Sequence, residues 1–173
     1  MLHEGHSENL LFEKVYENIY PLLFRIAYRI TGSASTAEDL CHEAFIKYIE
    51  RSELLPDLDQ TKYWLIRVLR NLSLNSEKRR SRENRAYQKY ERYARTTDPP
   101  ADHGFLEDET RSVVQGALDE LPHSLRTVLV LKEYGQMSYR EIGKVLGISE
   151  GNVKVRAFRA RERLAELLKE TLS

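Results

Sequence analysis

The sequence predicts an all-α fold of two small helical domains joined by a polar linker. Three observations carry this. Apolar residues recur at intervals of three and four along almost every patterned stretch, and no stretch alternates as a strand would. Glycine and proline are few, at 8 and 5, while charged residues make up 31%. That balance suits helices better than a turn-rich β fold. Between Glu83 and Asp108 the pattern lapses into a polar segment containing Thr96-Thr97-Asp98-Pro99-Pro100. The expected division is 8–84 for the first domain, 85–108 for the linker and 109–173 for the second domain.

The first helix is expected from about Asn9 to Ile30, with Leu11, Val15, Ile19, Leu22, Leu23 and Ile26 as its apolar stripe and Pro21 as a kink. Thr31-Gly32-Ser33 stops it. Ser35 and Glu38 fit a Ser-x-x-Glu capping box for the second helix. Its stripe is Ala37, Leu40, Cys41, Ala44, Phe45, Tyr48 and Ile49, opposite a face of Glu38, Asp39, His42, Glu43 and Lys47. Leu54–Gln60 reads as a loop around Pro56, and a third helix as 61–82. Tyr87, Tyr90 and Tyr93 suggest a further helical turn or two within the linker. Four helices follow, at 110–120, 124–134, 138–146 and 150–170, with Pro122 and Gly135 as punctuation.

The net charge is zero, but the signs are segregated. Residues 1–60 carry 11 acids and 5 bases, and residues 61–85 carry 8 bases and 2 acids. Residues 86–110 come to −3 and residues 111–173 to +3. Segregated charge marks surfaces meant for different partners, and the basic blocks point to nucleic acid. Cys41, the only cysteine, has no internal disulfide partner, which fits a reducing, cytoplasmic setting. The N-terminus lacks a signal-peptide core, and no apolar run approaches the roughly 20 residues that span a bilayer. Any membrane link is expected through a partner, without insertion of this chain.

The most informative stretch is Tyr139–Leu164. Ser138 is placed to cap a short helix bearing Ile142, Val145 and Leu146 on its inner side. Gly147-Ile148-Ser149 makes a tight turn, and Ser149 caps the next helix. Short helix, glycine turn and longer helix is the helix-turn-helix plan. Val153, Ala157, Ala160, Leu164 and Leu167 form the inward stripe of the second helix. Val155, Phe158, Arg159 and Glu162 then point outward, flanked by Lys154 and Arg161 on one side and Arg156 and Arg163 on the other. An exposed Phe among arginines is poor for solubility and suited to a DNA groove. Basic side chains can meet phosphates or guanine edges, and Val and Phe can meet thymine methyls.

In the other basic block, Leu65, Leu69 and Leu72 face the core, while Tyr63, Arg67, Arg70 and Asn71 share the opposite side with Trp64 nearby. Lys78-Arg79-Arg80-Ser81-Arg82 follows. Rings, amide and guanidinium groups on one face can stack unpaired bases and hold the backbone. Trp64 also suits a partly buried core position.

Together these stretches resemble the extracytoplasmic-function (ECF) subgroup of the sigma-70 family of RNA polymerase sigma factors. Ala37–Glu50, "AEDLCHEAFIKYIE", is similar to that family's Asp-Leu-x-Gln-Glu-x-Phe helix. Tyr63–Arg80 is similar to its Trp-Leu-x-x-Ile-x-x-Asn segment, and Leu118–Leu164 resembles region 4 throughout. The resemblance implies a region 2-like bundle and a region 4-like helix-turn-helix domain. It implies that Asp39, Leu40, His42, Glu43 and Phe45 serve docking on the β′ clamp of core RNA polymerase. It implies that Tyr63, Trp64, Arg67, Arg70, Asn71, Lys78, Arg79 and Arg80 serve recognition and melting of the −10 element. It implies −35 contacts from Ser149, Asn152, Lys154, Val155, Arg156, Phe158, Arg159 and Arg161. Core polymerase, promoter DNA and an anti-sigma factor of the kind that can be membrane-linked are the implied partners. His42 stands where the family usually has Gln, and Val155 where Ser is common. The loop "LLPDLDQ" lacks the usual glycine and aromatic residue.

A LuxR-type helix-turn-helix regulator is the alternative, and it leaves the N-terminal clamp-like helix and the second basic block unexplained. A nucleic-acid enzyme has less support. None of His3, His6, His42, His103 and His123 makes a metal-spaced pair with Cys41, and no nucleophile–base pairing or phosphate-binding glycine loop stands out. Asp39 and Glu43 read better as a solvated acidic face than as metal ligands. No cofactor, metal or catalytic residue is expected.

Overall fold

The computed structural model describes residues 2–51, 55–88 and 107–173. Its elements are α1 (Leu2–Thr31), α2 (Ala34–Ile49), α3 (Leu58–Gln88), α4 (Glu107–Glu120), α5 (His123–Glu133), α6 (Tyr139–Leu146) and α7 (Glu150–Leu172). No strand occurs among the described residues. The all-α expectation therefore holds.

Helices α1, α2 and α3 form one bundle. Val15, Ile19, Leu23, Ile26 and Ile30 of α1 bury against Leu40, Cys41, Ala44 and Phe45 of α2 and Leu65, Ile66 and Leu69 of α3. Each such large apolar side chain contributes about 1.5–3 kcal/mol when fully buried. The stripe expected for α1 needs one change at its start. Leu11 is exposed, and Phe12 turns inward to meet Phe45 edge-on at 6.2 Å. A second stripe, Phe12, Tyr16, Tyr20, Phe24 and Tyr28, runs as a ladder of rings at helical spacing of four, with 4.8 Å between Tyr16 and Tyr20. Pro21 lies inside the continuous helix.

The start of α2 differs from the Ser35/Glu38 box. Only Gly32 and Ser33 separate it from α1, and Ser33 has the extended backbone of a cap. Its Oγ accepts from the Thr36 amide at 3.3 Å. Ile49 is exposed in the last turn, while Tyr48 packs near Trp64. Helix α3 is longer at both ends than 61–82. The Asp57 carboxylate accepts from the Gln60 amide at 2.7 Å and starts it three residues early, inside the expected loop. Residues 89–106 of the expected linker, with Tyr90 and Tyr93, lie outside the described residues.

The other four helices match their expected positions to within three residues. Met137, Ile142, Val145, Val153 and Ala157 join Val128, Val130 and Leu131 in a core continuous with that of α1–α3. Ala117, Leu118, Leu121, Leu129, Ala160 and Leu167 form a second cluster between α4, α5 and α7. The two halves pack on each other: α1 touches α4 and α5, and α3 touches α6.

Arg126 of α5 fixes this junction. It is buried, and its guanidinium donates to the carbonyls of Leu118 (2.8 Å), Asp119 (2.9 Å) and Leu121 (2.7 Å), which close α4. It also donates to Ile30 at the end of α1 (2.8 Å) and pairs with Glu77 of α3 at 3.6 Å. Arg29 and Gln115 exchange two hydrogen bonds nearby, and Arg29 lies 4.7 Å over the Tyr134 ring. Among the described residues no buried side-chain polar atom lacks a partner.

Candidate nucleic-acid interface

The helix-turn-helix is built by local chemistry. Ser138 and Glu141 form a full capping box: Ser138 Oγ accepts from the Glu141 amide at 3.2 Å, and the Glu141 carboxylate accepts from the Ser138 amide at 2.7 Å. Gly147 ends α6 in the left-handed region, with φ 69°, where glycine avoids the Cβ penalty. The Ile148 amide returns to the Gly143 carbonyl at 3.0 Å. Ser149 Oγ then accepts from the Asn152 amide at 3.1 Å and starts α7.

That turn fixes which side of α7 faces water. Val153, Ala157, Ala160 and Leu167 are buried as expected, with Leu164 half-buried. Val155 is 47% exposed and Phe158 61% exposed. Arg159 is exposed beside them, and exposed Lys154 reaches Glu150 at 3.3 Å. An apolar pair framed by cations at a helix surface can lie against base edges while the cations meet phosphates. Not all the named cations stand free. Arg161 pairs with Glu133 at 2.9 Å and donates to the Tyr139 hydroxyl oxygen at 3.1 Å, and these bonds hold its guanidinium more firmly charged. Arg156 is half-buried, bonded to the Asn152 side chain at 3.1 Å. It lines a small cleft of about 90 Å³ together with Arg70, His123, Ser124 and Thr127.

The second basic surface lies along α3. Trp64 is half-buried, 6.3 Å from Tyr48 and capped by Arg51 at 4.7 Å. Arg70 donates to its neighbour Asn71 at 2.9 Å. Lys78, Arg79 and Arg80 are exposed on the helix, with Arg79 paired to Glu83 at 3.1 Å. Tyr63 and Arg67 face α6. The Tyr63 hydroxyl donates to the Glu141 carboxylate at 2.5 Å, and Arg67 donates to the carbonyls of Val145 and Lys144, both at 3.2 Å. The bond to Glu141, with burial and nearby acids added, pushes the Tyr63 hydroxyl up to about 12. The same bond, with the Ser138 amide, holds Glu141 below the usual carboxylate range.

The acidic face of α2 is presented largely as the sequence predicts, with one correction. Leu40 and Phe45 are buried in the bundle and cannot touch a partner; they position the helix. Glu38, Asp39, His42 and Glu43 remain for contact, joined by Ile46, 53% exposed. Ile46 escaped the sequence reading because it falls between the two stripes. Arg126 also escaped it, although an Arg inside the apolar run Leu125–Leu131 was the available signal. Among the described residues no group of three or more His, Cys, Asp or Glu is arranged to hold a metal ion, and no helix is long and apolar enough to cross a membrane.

A helical bundle with an acidic outer helix, followed by a helix-turn-helix with an apolar-and-basic reading face, defines a protein of the sigma-70 class. Residues 15–83 match Sigma-70 region 2 and residues 111–164 match Sigma-70 region 4. The chain is 35% identical over 148 residues to the ECF RNA polymerase sigma factor SigE of Mycolicibacterium smegmatis, covering 84% of this chain and 57% of that protein's length. It is 30% identical over 149 residues to the ECF sigma factor EcfG of Rhodopseudomonas palustris, covering 86% of this chain and 80% of that one. The sigma factor RpoE of Bartonella quintana, solved with the anti-sigma factor NepR, superposes with a TM-score of 0.68 at 27% identity, covering 91% of this chain and 96% of that one. This chain belongs to the ECF RNA polymerase sigma factors.

Proposed function

We propose that this chain binds core RNA polymerase through the acidic face of α2, reads −35 duplex with α7 and handles opened −10 bases with α3. The assignment of residues 8–84 to polymerase and −10 binding, and of 109–173 to −35 binding, is part of this proposal. The observation that carries it is the outward pair Val155 and Phe158 flanked by Lys154 and Arg159 on a capped helix-turn-helix. The exposed acids Asp39 and Glu43, on a bundle with a separate basic helix, favour a polymerase-bound factor over a LuxR-type regulator.

Energetics fits a protein that works with a partner. Duplex stacking is worth about 1.4 kcal/mol per step, so opening about ten steps costs on the order of 14 kcal/mol. A few base-stacking contacts at roughly 1–3 kcal/mol each do not supply that. The chain selects and traps opened bases, and polymerase supplies the remaining grip. An anti-sigma partner is proposed from the RpoE–NepR complex, and a cytoplasmic location from the polymerase partner.

The test is run-off transcription with purified core polymerase and genomic DNA fragments. A defined start site that requires this chain is the expected result. Absence of any chain-dependent start rejects the function.

A further inference from the structure

We infer that Arg161 is a positioning residue: with Glu133 and Tyr139 it forms a strut that sets the rotation of α7, so that Val155, Phe158 and Arg159 meet −35 bases. The inference rests on the proposed role of α7, and it reassigns a cation that the resemblance places on DNA.

Three helices meet at this side chain. Arg161 Nη2 donates to the Glu133 carboxylate at the end of α5 at 2.9 Å, and Nη1 donates to the Tyr139 hydroxyl oxygen at the start of α6 at 3.1 Å. Lys132 Nζ lies 4.7 Å from the centre of the Tyr139 ring and braces it from α5. A lone exposed ion pair is worth little, because two long side chains must be ordered to make it. Here Tyr139 is already fixed, half-buried against the core. One planar guanidinium then serves two acceptors on two helices. Lys154 and Arg156 bond differently, within α7 itself, to Glu150 and Asn152. Among the described residues, Arg161 is the one cation assigned to −35 DNA that is hydrogen-bonded to other helices.

The packing of α7 explains why a strut matters. Behind the reading face its buried side chains are Val153, Ala157 and Ala160. Alanine methyls are short knobs, so they resist turning of the helix about its axis only weakly. A turn of about 20° moves a side-chain tip about 6 Å from the axis by about 2 Å. A direct hydrogen bond to a base edge does not survive that shift. The Ser149 cap holds one end of the reading segment, and Arg161 holds the other, just past Arg159.

Glu133→Ala tests this at an exposed residue outside every proposed DNA contact. Charge and position predict opposite signs. Removing an acid beside a cationic face strengthens its pull on phosphates, so an Arg161 that served DNA directly would bind more tightly once released. The strut instead predicts about threefold to tenfold weaker binding of the full chain to the −35 duplex of a promoter found by run-off, read by anisotropy. Glu133→Gln keeps an acceptor oxygen and should bind closer to the parent than Glu133→Ala does. Tyr139→Phe removes one acceptor without changing charge and should also weaken binding. Parental or tighter binding by Glu133→Ala overturns the strut, whether or not the salt slope steepens by the roughly 0.9 of a new phosphate contact. Hydrogen exchange of the free full chain gives a readout that needs no promoter. Amides of residues 153–161 should exchange faster in Glu133→Ala than in the parent, with those of α1 at parental rates. Equal exchange in α7 overturns the strut and leaves the sigma-factor reading standing. Absence of any chain-dependent start rejects that reading alone, and exchange then upholds or overturns the strut by itself.

Discussion

Arg126 Nη1 lies 2.8 Å from the carbonyl oxygen of Ile30, so a buried guanidinium on α5 closes the end of α1 in the other half of the molecule. The same side chain satisfies three carbonyls around the end of α4. A planar fork of five donors suits this arrangement, whereas an ammonium cannot span it.

Arg126→Met should therefore destabilise the chain by about 2–5 kcal/mol, because removing a buried charged partner leaves carbonyls unpaired. Arg126→Lys should recover less than half of that loss. Urea denaturation followed by circular dichroism measures both. Parental stability in Arg126→Met would show that the clamp is dispensable.

His123 carries a pH signature. Its Nε2 lies 3.2 Å from Ser73 Oγ across the junction. Burial, with Arg126, Arg70 and Lys78 nearby, pushes its ring down to about 4. The unfolded chain binds a proton near the ordinary value of 6.5 while the folded chain does not. Stability from this site is present above about pH 6.5 and is lost as pH falls from 6.5 towards 4. Thermal melts across that range should fall less steeply for His123→Asn than for the parent. Parallel curves would refute the assignment.

Gly143 sets the spacing of the helix-turn-helix. A Cβ there would sit 2.8 Å from the Ile148 carbonyl oxygen, a backbone atom that cannot swing away. Gly143→Ala should cost about 1–3 kcal/mol and weaken −35 binding by displacing the start of α7. Chemical denaturation and duplex titration of the same sample check both effects. Normal DNA affinity in the variant would rule out this spacing role.

The two partner surfaces should separate by mutation. Arg159→Ala and Lys154→Ala should each weaken −35 duplex binding by roughly 1–3 kcal/mol or less and flatten its salt dependence, with core polymerase affinity kept. Asp39→Ala with Glu43→Ala should do the reverse. Titrations against duplex and against core polymerase, at matched salt, decide. Loss of both affinities in either variant would contradict two independent surfaces.

Much of the fold was legible because its signals are local. The inward stripe of α7 and the Gly147 turn each show within a few residues of sequence. The start of α2 was misread because Ser33 and Ser35 both resemble caps, and only the two-residue gap after α1 selects Ser33. The ring ladder of α1 went unread because its aromatic residues lie beside the aliphatic stripe rather than on it. Leu40 and Phe45 illustrate a different limit: a motif associated with a partner also contains the residues that anchor its helix. Apart from the Arg inside the apolar run Leu125–Leu131, the junction left no pattern. Arg67 and Arg126 bind main-chain oxygens, and any residue type supplies those.

Cys41 is fully enclosed by the α1–α2–α3 core, and burial pushes its thiol up to about 12. The reactive thiolate is scarce, and reagent has no approach while the bundle stays shut. Alkylation of the parent chain then proceeds only as fast as that bundle breathes, which gives the molecule a built-in stopwatch for transient opening, readable by mass without an added probe.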